Sequence, residues 1–244
     1  MKILTDLHCH TIASDHAYST VLELTAAAKE HALELIALTD HAMGIGDAPH
    51  IWHFDNLHSL PRIIGGIQLL FGAEVNIMNL DGEIDLPENT LKKLDLAIAS
   101  YHSPCCKPGS IEENTQAYLN VLKNPYVDIL GHCGSAAFPF EHETVLKAVR
   151  DAGKIVEINN HTWDVRKPSV PNCVEIAKLC KKLGVLVSVD SDAHFCYEVG
   201  VYPHAERLFQ EIGFPEELIV NRTANSVIAY MNSRPDTGRQ KIEI

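Results

Sequence analysis

Histidines stand at the ends of short apolar runs throughout this chain. Five such runs lead within a few residues into a histidine, and a sixth ends in a glutamate. These residues are His8, His10, His41, His102, His132, His194 and Glu74. Histidine makes up only 14 of 244 residues, so chance placement would seldom put one after all five runs. Because imidazole and carboxylate groups bind zinc, manganese and iron, the pattern predicts a metal site.

Two pairs of chemically active residues are spaced by two positions, His8 with His10 and Asp192 with His194. In an extended chain such pairs leave the same face, about 7 Å apart along the strand. With His16, the predicted metal ligands number nine: His8, His10, His16, His41, Glu74, His102, His132, Asp192 and His194. A catalytic zinc takes about three protein ligands and keeps one position open, so this set suits about three metal ions.

Closely spaced metal ions can hydrolyse phosphate esters, because they lower the pKa of a bound water, polarise the phosphorus oxygens and stabilise the leaving oxygen. We therefore predict a hydrolase with about three divalent metal ions per chain, zinc being favoured over manganese or iron. Glu74, Asp192 and His194 are its predicted catalytic residues. The sequence contains neither a GxxxxGK[ST] phosphate loop nor a GxSxG nucleophile motif.

The apolar runs themselves predict the scaffold. Seven of them read as strands, beginning at Ile3, Leu35, Ile67, Leu94, Val127, Ile155 and Leu186. Helical segments lie between them, opened by capping boxes such as Thr20-x-x-Glu23 and closed by glycines such as Gly184. This alternation predicts a distorted seven-stranded (β/α)7 TIM-like barrel, in which only Leu218–Val220 could add an eighth strand. Functional residues of such a barrel lie at the carboxyl ends of its strands.

Composition limits the domain organisation and the partners. We expect one barrel domain over residues 1–233 and a polar C-terminal tail over 234–244. No apolar stretch approaches the roughly 20 residues of a membrane helix, and no cleavable signal is present, so we expect a cytoplasmic protein without membrane contact. A net charge of −12 disfavours nucleic acid as a partner. The expected partner is a small phosphorylated metabolite, and a homo-oligomer is compatible with the sequence.

Several motifs together resemble those of a known family. His8-Cys9-His10-Thr11, Thr39-Asp40-His41, Glu74, His102, His132 and Asp192-Ala193-His194 resemble the PHP (polymerase and histidinol phosphatase) family in order and spacing. The stretches Asp47–Phe54, Asp81–Asp85, Asn114–Ala117 and Glu157–Asn160 further resemble its stand-alone phosphatases. The resemblance covers nearly the whole chain. It implies a distorted seven-stranded barrel, a trinuclear metal site and hydrolysis of a phosphate monoester by a metal-activated hydroxide.

The resemblance also implies how the nine ligands are shared. The first metal position would be held by His8, His10, Glu74 and Asp192. Glu74 would bridge to a second position, which is completed by His102 and His132. The third position would be held by His16, His41 and His194.

Residues near the end of the sixth predicted strand are candidates for substrate binding. Arg166 and Lys167 could hold the substrate phosphate, since a guanidinium offers two parallel hydrogen bonds, although solvated loop charges explain them equally well. Asn159 and Asn160 precede them and are predicted to face the substrate. Asp6 and Asp40 could orient ligand imidazoles as carboxylates behind the metal ligands.

Three other functions are compatible with the same residues. A phosphodiesterase or nuclease would use the same metals, but the acidic charge and the lack of a basic stripe weigh against it. An amidohydrolase sequence also begins with a His-x-His motif. Its metal site would, however, require a bridging lysine or carboxylate from the fourth strand, whereas this chain supplies Glu74 from the third. A non-catalytic metal-binding module would have no need to retain all nine ligands.

Overall fold

Seven parallel strands form the barrel wall in the computed structural model, which describes residues 2–46 and 48–243. In spatial order they are β1 (Thr5–Cys9), β2 (Leu35–Leu38), β4 (Ile67–Asn76), β5 (Leu96–Ser100), β6 (Ile129–Leu130), β7 (Ile155–Asn159) and β8 (Leu186–Asp190). The short strand β3 (Ile63–Ile64) pairs antiparallel with the beginning of β4. The predicted (β/α)7 TIM-like barrel is confirmed, with β3 as an unpredicted addition.

Helices connect the strands and cover the outside of the barrel. They are α1 (Val21–Glu30), α2 (Ile51–Asn56), α3 (Glu88–Leu91), α4 (Ile111–Val121), α5 (His142–Asp151), α6 (Thr162–Val165), α7 (Val170–Leu183), α8 (Pro203–Ile212) and α9 (Ala224–Ser233). Single 3-10 turns span Leu57–Ser59, Lys167–Ser169, Cys196–Glu198, Glu216–Leu218 and Val220–Arg222. Among the described residues, no helix is both long enough and apolar enough to pass through a bilayer.

The helix boundaries follow the local signals in the sequence. At the start of α1, the Thr20 hydroxyl accepts from the backbone N–H of Glu23, while the Glu23 carboxylate accepts from that of Thr20. Ser110 and Glu113 form the same reciprocal pair at the start of α4. Gly184 ends α7 in the left-handed conformation, with φ of +69°, where a side chain would be strained. These caps stop each helix where the next strand must begin.

Alternate residues of the strands fill the barrel interior. The interior cluster contains Leu7, Leu35, Ala37, Leu70, Leu96, Ile98, Ile129 and Ile155, all fully buried. Side chains two apart on a strand share a face, which explains pairs such as Leu35 with Ala37. Val227, Ile228 and Met231 of α9 pack against the same cluster. The barrel is therefore packed solid, and α9 closes the end opposite to the strand carboxyl termini.

The seam between β8 and β1 is closed by side chains. Cys9, the last residue of β1, forms one parallel bridge with Ala193, which lies just beyond β8. Below it, the Asn221 amide donates to the carbonyl oxygens of Thr5 (3.2 Å) and Val189 (2.7 Å), so it joins both strands. Leu218–Val220 does not form a strand, since only Ile219 pairs with β8, in a single bridge. The side chain of Asn221 thus joins β8 to β1, and residues 218–220 do not add a strand there.

The C-terminal tail packs against the barrel. Arg239 donates to the buried Asp128 carboxylate at 2.8 Å, and Arg234 donates to the other oxygen of the same group. Ile242 is buried in the interior cluster. These contacts place the tail next to α9.

Candidate metal centre

Glu74 lies at the centre of the nine predicted ligands. It faces the interior from β4, and its side chain is fully buried. Around Oε2 lie His41 Nδ1 at 2.8 Å, His8 Nε2 at 3.4 Å and His10 Nε2 at 3.6 Å. Around Oε1 lie His132 Nε2 at 2.9 Å and His102 Nε2 at 3.5 Å. The two oxygens of one carboxylate therefore face two different groups of imidazoles.

Asp192 and the remaining histidines lie beside this group. Asp192 Oδ1 is 3.2 Å from His10 Nε2 and 3.5 Å from His8 Nε2. The His194 Nε2 and His16 Nε2 atoms are 2.8 Å apart. The His194 and His10 rings lie 4.4 Å apart, which connects this pair to the others. All nine predicted ligands thus lie in one cluster at the carboxyl ends of the strands.

Local irregularities of the backbone aim these side chains inward. A bulge in β1 between Asp6 and Cys9 inserts one extra residue relative to β2. As a result, Leu7 joins the interior cluster while His8, the next residue, also faces Glu74. His132 and Asp192 adopt left-handed φ values of +25° and +56°. Such strained non-glycine residues persist where the surrounding structure holds them, commonly at functional sites.

Several buried atoms of the cluster lack a hydrogen bond. Within the described residues, His8 Nε2, His10 Nε2, His41 Nδ1 and Glu74 Oε2 have no hydrogen-bond partner. Buried polar atoms are nearly always paired, so a group of unpaired ones that face each other needs another partner. Ligand atoms within 4.8 Å of one another form three overlapping sets: His8, His10 and Glu74; His41, Glu74 and His102; and His10, His41 and His194. Nitrogen and carboxylate oxygen donors at this spacing fit divalent metal ions.

The charges of the cluster are strongly coupled. Burial by itself would raise the pKa of Glu74, yet the surrounding His102, His8 and His41 hold it well below its usual range. Burial would also raise the pKa of Asp192, which His8, His10 and Arg166 instead hold well below normal. Burial and the neighbouring His41 lower the pKa of His10 to about 3. The centre therefore offers ionised carboxylates and at least one neutral imidazole, the forms that bind metals.

A cavity of about 400 Å³ opens over the cluster. It is lined by His16, His41, Ile45, His102, His161, Val165, Arg166 and His194. Four of these are predicted ligands, so a molecule in the cavity would lie directly against the metal centre. The volume is that of a small-molecule site.

Comparison with known proteins identifies the family. Residues 6–161 match the model of the PHP domain, which is more than half of the chain. The chain belongs to the PHP domain family. A protein of Clostridium novyi named probable phosphatase is 46% identical over 235 residues, covering 96% of both chains. A protein of the same name from Acetivibrio thermocellus is 42% identical over 241 residues, covering 99% of this chain and all of its own.

A solved structure supports the same fold. The histidinol phosphate phosphatase of Lactococcus lactis, crystallised with zinc, L-histidinol and phosphate, aligns with a TM-score of 0.61. The match covers 86% of this chain and 94% of that one, at 18% sequence identity. The family and the relatives confirm the predicted PHP membership and the predicted class, a metal-dependent hydrolase of phosphoric monoesters. Asp47, in one of the stretches that resemble the family, lies outside the described residues.

Glu157 and Asn76 contact ligands of the cluster but were not among the predicted site residues. Glu157 Oε1 lies 2.6 Å from His8 Nδ1, and Glu157 Oε2 accepts the backbone N–H of His132 at 2.5 Å. Asn76 Oδ1 lies 2.7 Å from His102 Nδ1. Both residues bind the ring or backbone behind a ligand, and such contacts fix the orientation of the imidazole. A signal for Glu157 was available, since it is two residues before Asn159 and shares its strand face.

Of the two acids predicted to orient imidazoles, Asp40 contacts the ligand His10 indirectly, through Ser14. Asp40 Oδ1 accepts from the Ser14 hydroxyl at 2.9 Å, and that hydroxyl lies 3.5 Å from His10 Nδ1. Asp6 instead accepts from the hydroxyl of Ser191 at 2.5 Å and from its backbone N–H at 3.1 Å. Asp6 therefore holds the turn before Asp192 rather than a histidine ring.

The predicted substrate-binding residues separate in space. Arg166 lines the cavity and donates to Asp192 Oδ2 at 2.9 Å. Asn159 donates to the same oxygen at 3.0 Å. Asn160 is turned away, because its side-chain oxygen accepts from the backbone N–H of His204 (3.0 Å) at the start of α8. Lys167 is exposed and is not among the described residues that line the cavity.

Proposed function

We propose that this chain hydrolyses a small phosphate monoester at a trinuclear metal centre. The position of Glu74 carries the proposal. Its two oxygens face separate groups of imidazoles within 2.8–3.6 Å, as a carboxylate does when it bridges two metal ions. Clustered unpaired donor atoms support the same conclusion.

The geometry is compatible with three metal positions that share the nine ligands. One would use His8, His10, Glu74 and Asp192. A second would use Glu74, His102 and His132, and a third would use His16, His41 and His194. Bound divalent ions, with zinc as the first candidate, would activate a water molecule and neutralise the phosphoryl charge. The catalytic roles proposed for Glu74, Asp192 and His194 follow from these positions.

The remaining residues of the chain position the ligands and the substrate. Arg166 lies between Asp192 and the cavity, where its guanidinium can donate to a substrate phosphate. Asn159 and Glu157 hold Asp192 and His8 from behind. We assign these functions to a single catalytic domain over residues 1–233, with the polar tail over 234–244 outside the site.

Metal content and phosphatase activity, measured on the same preparation, test the proposal. The purified chain should bind about three metal ions and release phosphate from a generic aryl phosphate. His194→Ala should lower kcat/KM more than about 100-fold, because it removes a ligand rather than a group behind one. His58→Ala is the matched control, since His58 is exposed on a 3-10 turn. One metal per chain, or equal activity in His194→Ala and wild type, would contradict the trinuclear centre.

A nuclease activity would leave a different product. Incubation with a single-stranded oligonucleotide should yield no nucleotide release at enzyme concentrations that hydrolyse the monoester completely. Nucleotide release would instead favour phosphodiester chemistry at the same centre.

A further inference from the structure

The buried acid Asp40 joins two segments behind the metal centre. Its side chain is 1% exposed, and each carboxylate oxygen contacts two hydrogen-bond donors. Oδ1 accepts from the Thr11 backbone N–H at 2.7 Å and from the Ser14 hydroxyl at 2.9 Å. Oδ2 accepts from the Thr11 hydroxyl at 2.8 Å and lies 3.0 Å from His53 Nε2. One carboxylate therefore holds the loop after β1 on one side and α2 on the other.

The Ser14 hydroxyl connects Asp40 to two metal ligands. Burial alone would raise the pKa of Asp40, but the contact with His53 outweighs this and holds the pKa below its ordinary value. An ionised carboxylate only accepts hydrogen bonds, so the single Ser14 proton points to Asp40 and leaves the serine oxygen as an acceptor. That oxygen accepts the backbone N–H of His41 at 3.1 Å. It also lies 3.5 Å from His10 Nδ1, at the outer limit of a hydrogen bond.

This direction of the hydroxyl suits metal binding by His10. An acceptor beside Nδ1 favours the tautomer with its proton on Nδ1 and its lone pair on Nε2. Among the described contacts, His10 Nε2 is a buried atom without a hydrogen bond, and it faces Asp192 Oδ1 at 3.2 Å. His10 belongs to the first proposed metal position and His41 to the third. One hydroxyl thus contacts a ligand of each position, through the ring of one and the backbone of the other.

The loop that carries Ser14 can turn without this hydroxyl. The Ser14 backbone N–H donates to the Thr11 carbonyl at 3.0 Å, and the Ala17 N–H donates to the Ser14 carbonyl at 2.8 Å. These backbone bonds close two consecutive tight turns and do not involve the serine side chain. The same loop carries His16, another ligand of the third position. The side chain of Ser14 therefore contributes contacts to the ligands rather than to the turn.

Helix α2 brings His53 to Asp40. The helix begins after His50, whose ring nitrogen accepts the backbone N–H of Trp52 at 3.2 Å. His53 follows in the first turn, and its side chain is 25% exposed. Both histidines lie in residues 47–54, a stretch that resembles the family's stand-alone phosphatases but contains none of the nine ligands. The contact with Asp40 connects that stretch to the centre.

We propose that Ser14 is a positioning residue that couples the first and third metal positions, and that His53 acts on it through Asp40. This inference rests on the proposed trinuclear centre and names residues outside the nine ligands on which two of its positions depend. Without the hydroxyl, the His10 ring and the His41 backbone each lose an acceptor, so both positions lose affinity together. His53 fixes the orientation of Asp40 and thereby that of the serine proton.

Ser14→Ala tests the hydroxyl. Its metal affinity, measured by competition with a chromophoric chelator, should fall by about 10–100-fold, the usual effect of losing an outer partner of a ligand. At saturating metal, kcat for an aryl phosphate should fall because the ligands are displaced. KM should stay unchanged, since Ser14 is buried and is not among the described residues that line the cavity.

Thr115→Val is the matched control. The Thr115 hydroxyl is also buried and accepts a backbone N–H, that of Glu141 at 2.9 Å, but it lies on α4 away from the ligands. Both variants leave a backbone donor unpaired and should lower the urea midpoint. Only Ser14→Ala should bind metal more weakly. Wild-type metal affinity in Ser14→Ala, or an equal loss in Thr115→Val, would show that the hydroxyl is merely structural and would overturn the inference.

His53→Leu tests the route through Asp40 at a partly exposed residue. This variant should bind metal about tenfold more weakly, whereas His53→Gln, which keeps an N–H donor, should retain the affinity of the wild type. In the Ser14→Ala background, His53→Leu should cause no further loss, because residues that act through one network are not additive. Additive losses, or an equal loss in His53→Gln, would contradict the route through Asp40.

Failure of the proposed function would give a different result. A wild-type chain that binds one metal, or that releases no phosphate when loaded, would contradict the trinuclear phosphatase itself. Unchanged affinity in Ser14→Ala, beside a wild type with three metals and full turnover, would overturn only the coupling by Ser14.

Discussion

Glu74 shows how a single residue organises the centre. An isolated carboxylate in a protein interior loses a large solvation energy and normally takes up a proton. Here burial is outweighed by the surrounding imidazoles, which hold the pKa of Glu74 well below its usual range. Asp192 is kept ionised in the same way, with Arg166 contributing. The ionised state of both acids therefore depends on positive charge in the cluster, which bound divalent ions would supply.

Glu157 positions His8, and its loss should weaken metal binding. Glu157→Gln keeps the size of the side chain but removes its negative charge. In the wild type, the Glu157 carboxylate lies 2.6 Å from His8 Nδ1 and accepts the ring proton. Metal affinity should fall by about 10–100-fold, the usual cost of losing such an outer partner. Competition against a chromophoric chelator measures the affinity. At saturating metal, KM for the phosphate ester should change little, because Glu157 is buried behind the ligands.

Asp164→Asn provides the control for this prediction. Asp164 is 56% exposed on α6 and contacts His204 rather than a ligand. It should bind metal with the affinity of the wild type. If Glu157→Gln also bound metal as tightly as the wild type, Glu157 would be a packing residue without influence on the centre.

At the scale of elements, irregular backbone decides which side chains reach the centre. The bulge in β1 allows both Leu7 and His8 to face inward, although neighbours on a regular strand face opposite ways. At β6 the strand is only two residues long, and the chain then passes through Gly131 to the left-handed His132. Both irregularities lie at strand ends, where each redirects one ligand.

Gly131 is required for the position of His132. A Cβ atom at Gly131 would lie 2.7 Å from Ile98 Cγ2 and closer still to Ser100 Oγ, so the loop would have to move. Gly131→Ala should destabilise the fold by about 1–3 kcal/mol, the typical cost of overpacking. It should also displace His132, lowering metal content and kcat. Urea unfolding and elemental analysis measure the two effects.

Gly46→Ala is the corresponding control, since a Cβ atom there would lie more than 4 Å from every described residue other than its chain neighbours. This variant should keep the stability and metal content of the wild type. A Gly131→Ala protein with full metal content would show that the loop absorbs the added methyl group without moving the histidine.

The features that could be predicted from the sequence are those that depend on a few neighbouring residues. Strand-end histidines, capping boxes and glycine stops all act over a few residues, and these features agree with the structure at Thr20, Ser110 and Gly184. Contacts between distant segments escape such reasoning. Glu157 meets His8 across 149 positions of sequence, and nothing near either residue announces the partner.

The two asparagines at the end of β7 face different ways, as strand periodicity predicts. Asn159 and Asn160 are adjacent, so they face opposite sides of the strand and only one can face the barrel interior. Asn159 contacts the centre, while Asn160 accepts from the backbone of α8. Residues 218–220 do not form the eighth strand that their apolar pattern allowed. Asn221 instead supplies side-chain hydrogen bonds to both edges of the seam, and the apolar pattern of 218–220 does not reveal these contacts.

At the scale of the whole molecule, the metal centre and the stabilising contacts of the tail lie at opposite ends of the barrel. Ligands and cavity occupy the carboxyl ends of the strands, whereas α9 and the tail close the amino ends. Asp128 is the link between tail and barrel, because its buried carboxylate accepts from the Ala97 backbone, Arg234 and Arg239. The same arginines donate to backbone carbonyls of Asp95 and Tyr126. Stability at this end should therefore be adjustable without altering the metal centre.

Asp128→Asn tests that separation. Replacing the carboxylate leaves the buried guanidinium of Arg239, only 5% exposed, without its counter-charge. Breaking a buried ion pair on one side costs about 3–5 kcal/mol, so the urea midpoint should fall strongly while metal content and kcat/KM of the folded protein stay unchanged. Arg239→Met should lower the free energy of unfolding less in the Asp128→Asn background than in the wild type, because both changes remove the same interaction. Asp236→Asn, an exposed tail acid that accepts only from the Gly238 backbone among the described contacts, should leave the midpoint unchanged. Equal midpoints for Asp128→Asn and wild type would show that the tail adds nothing to the stability of the barrel.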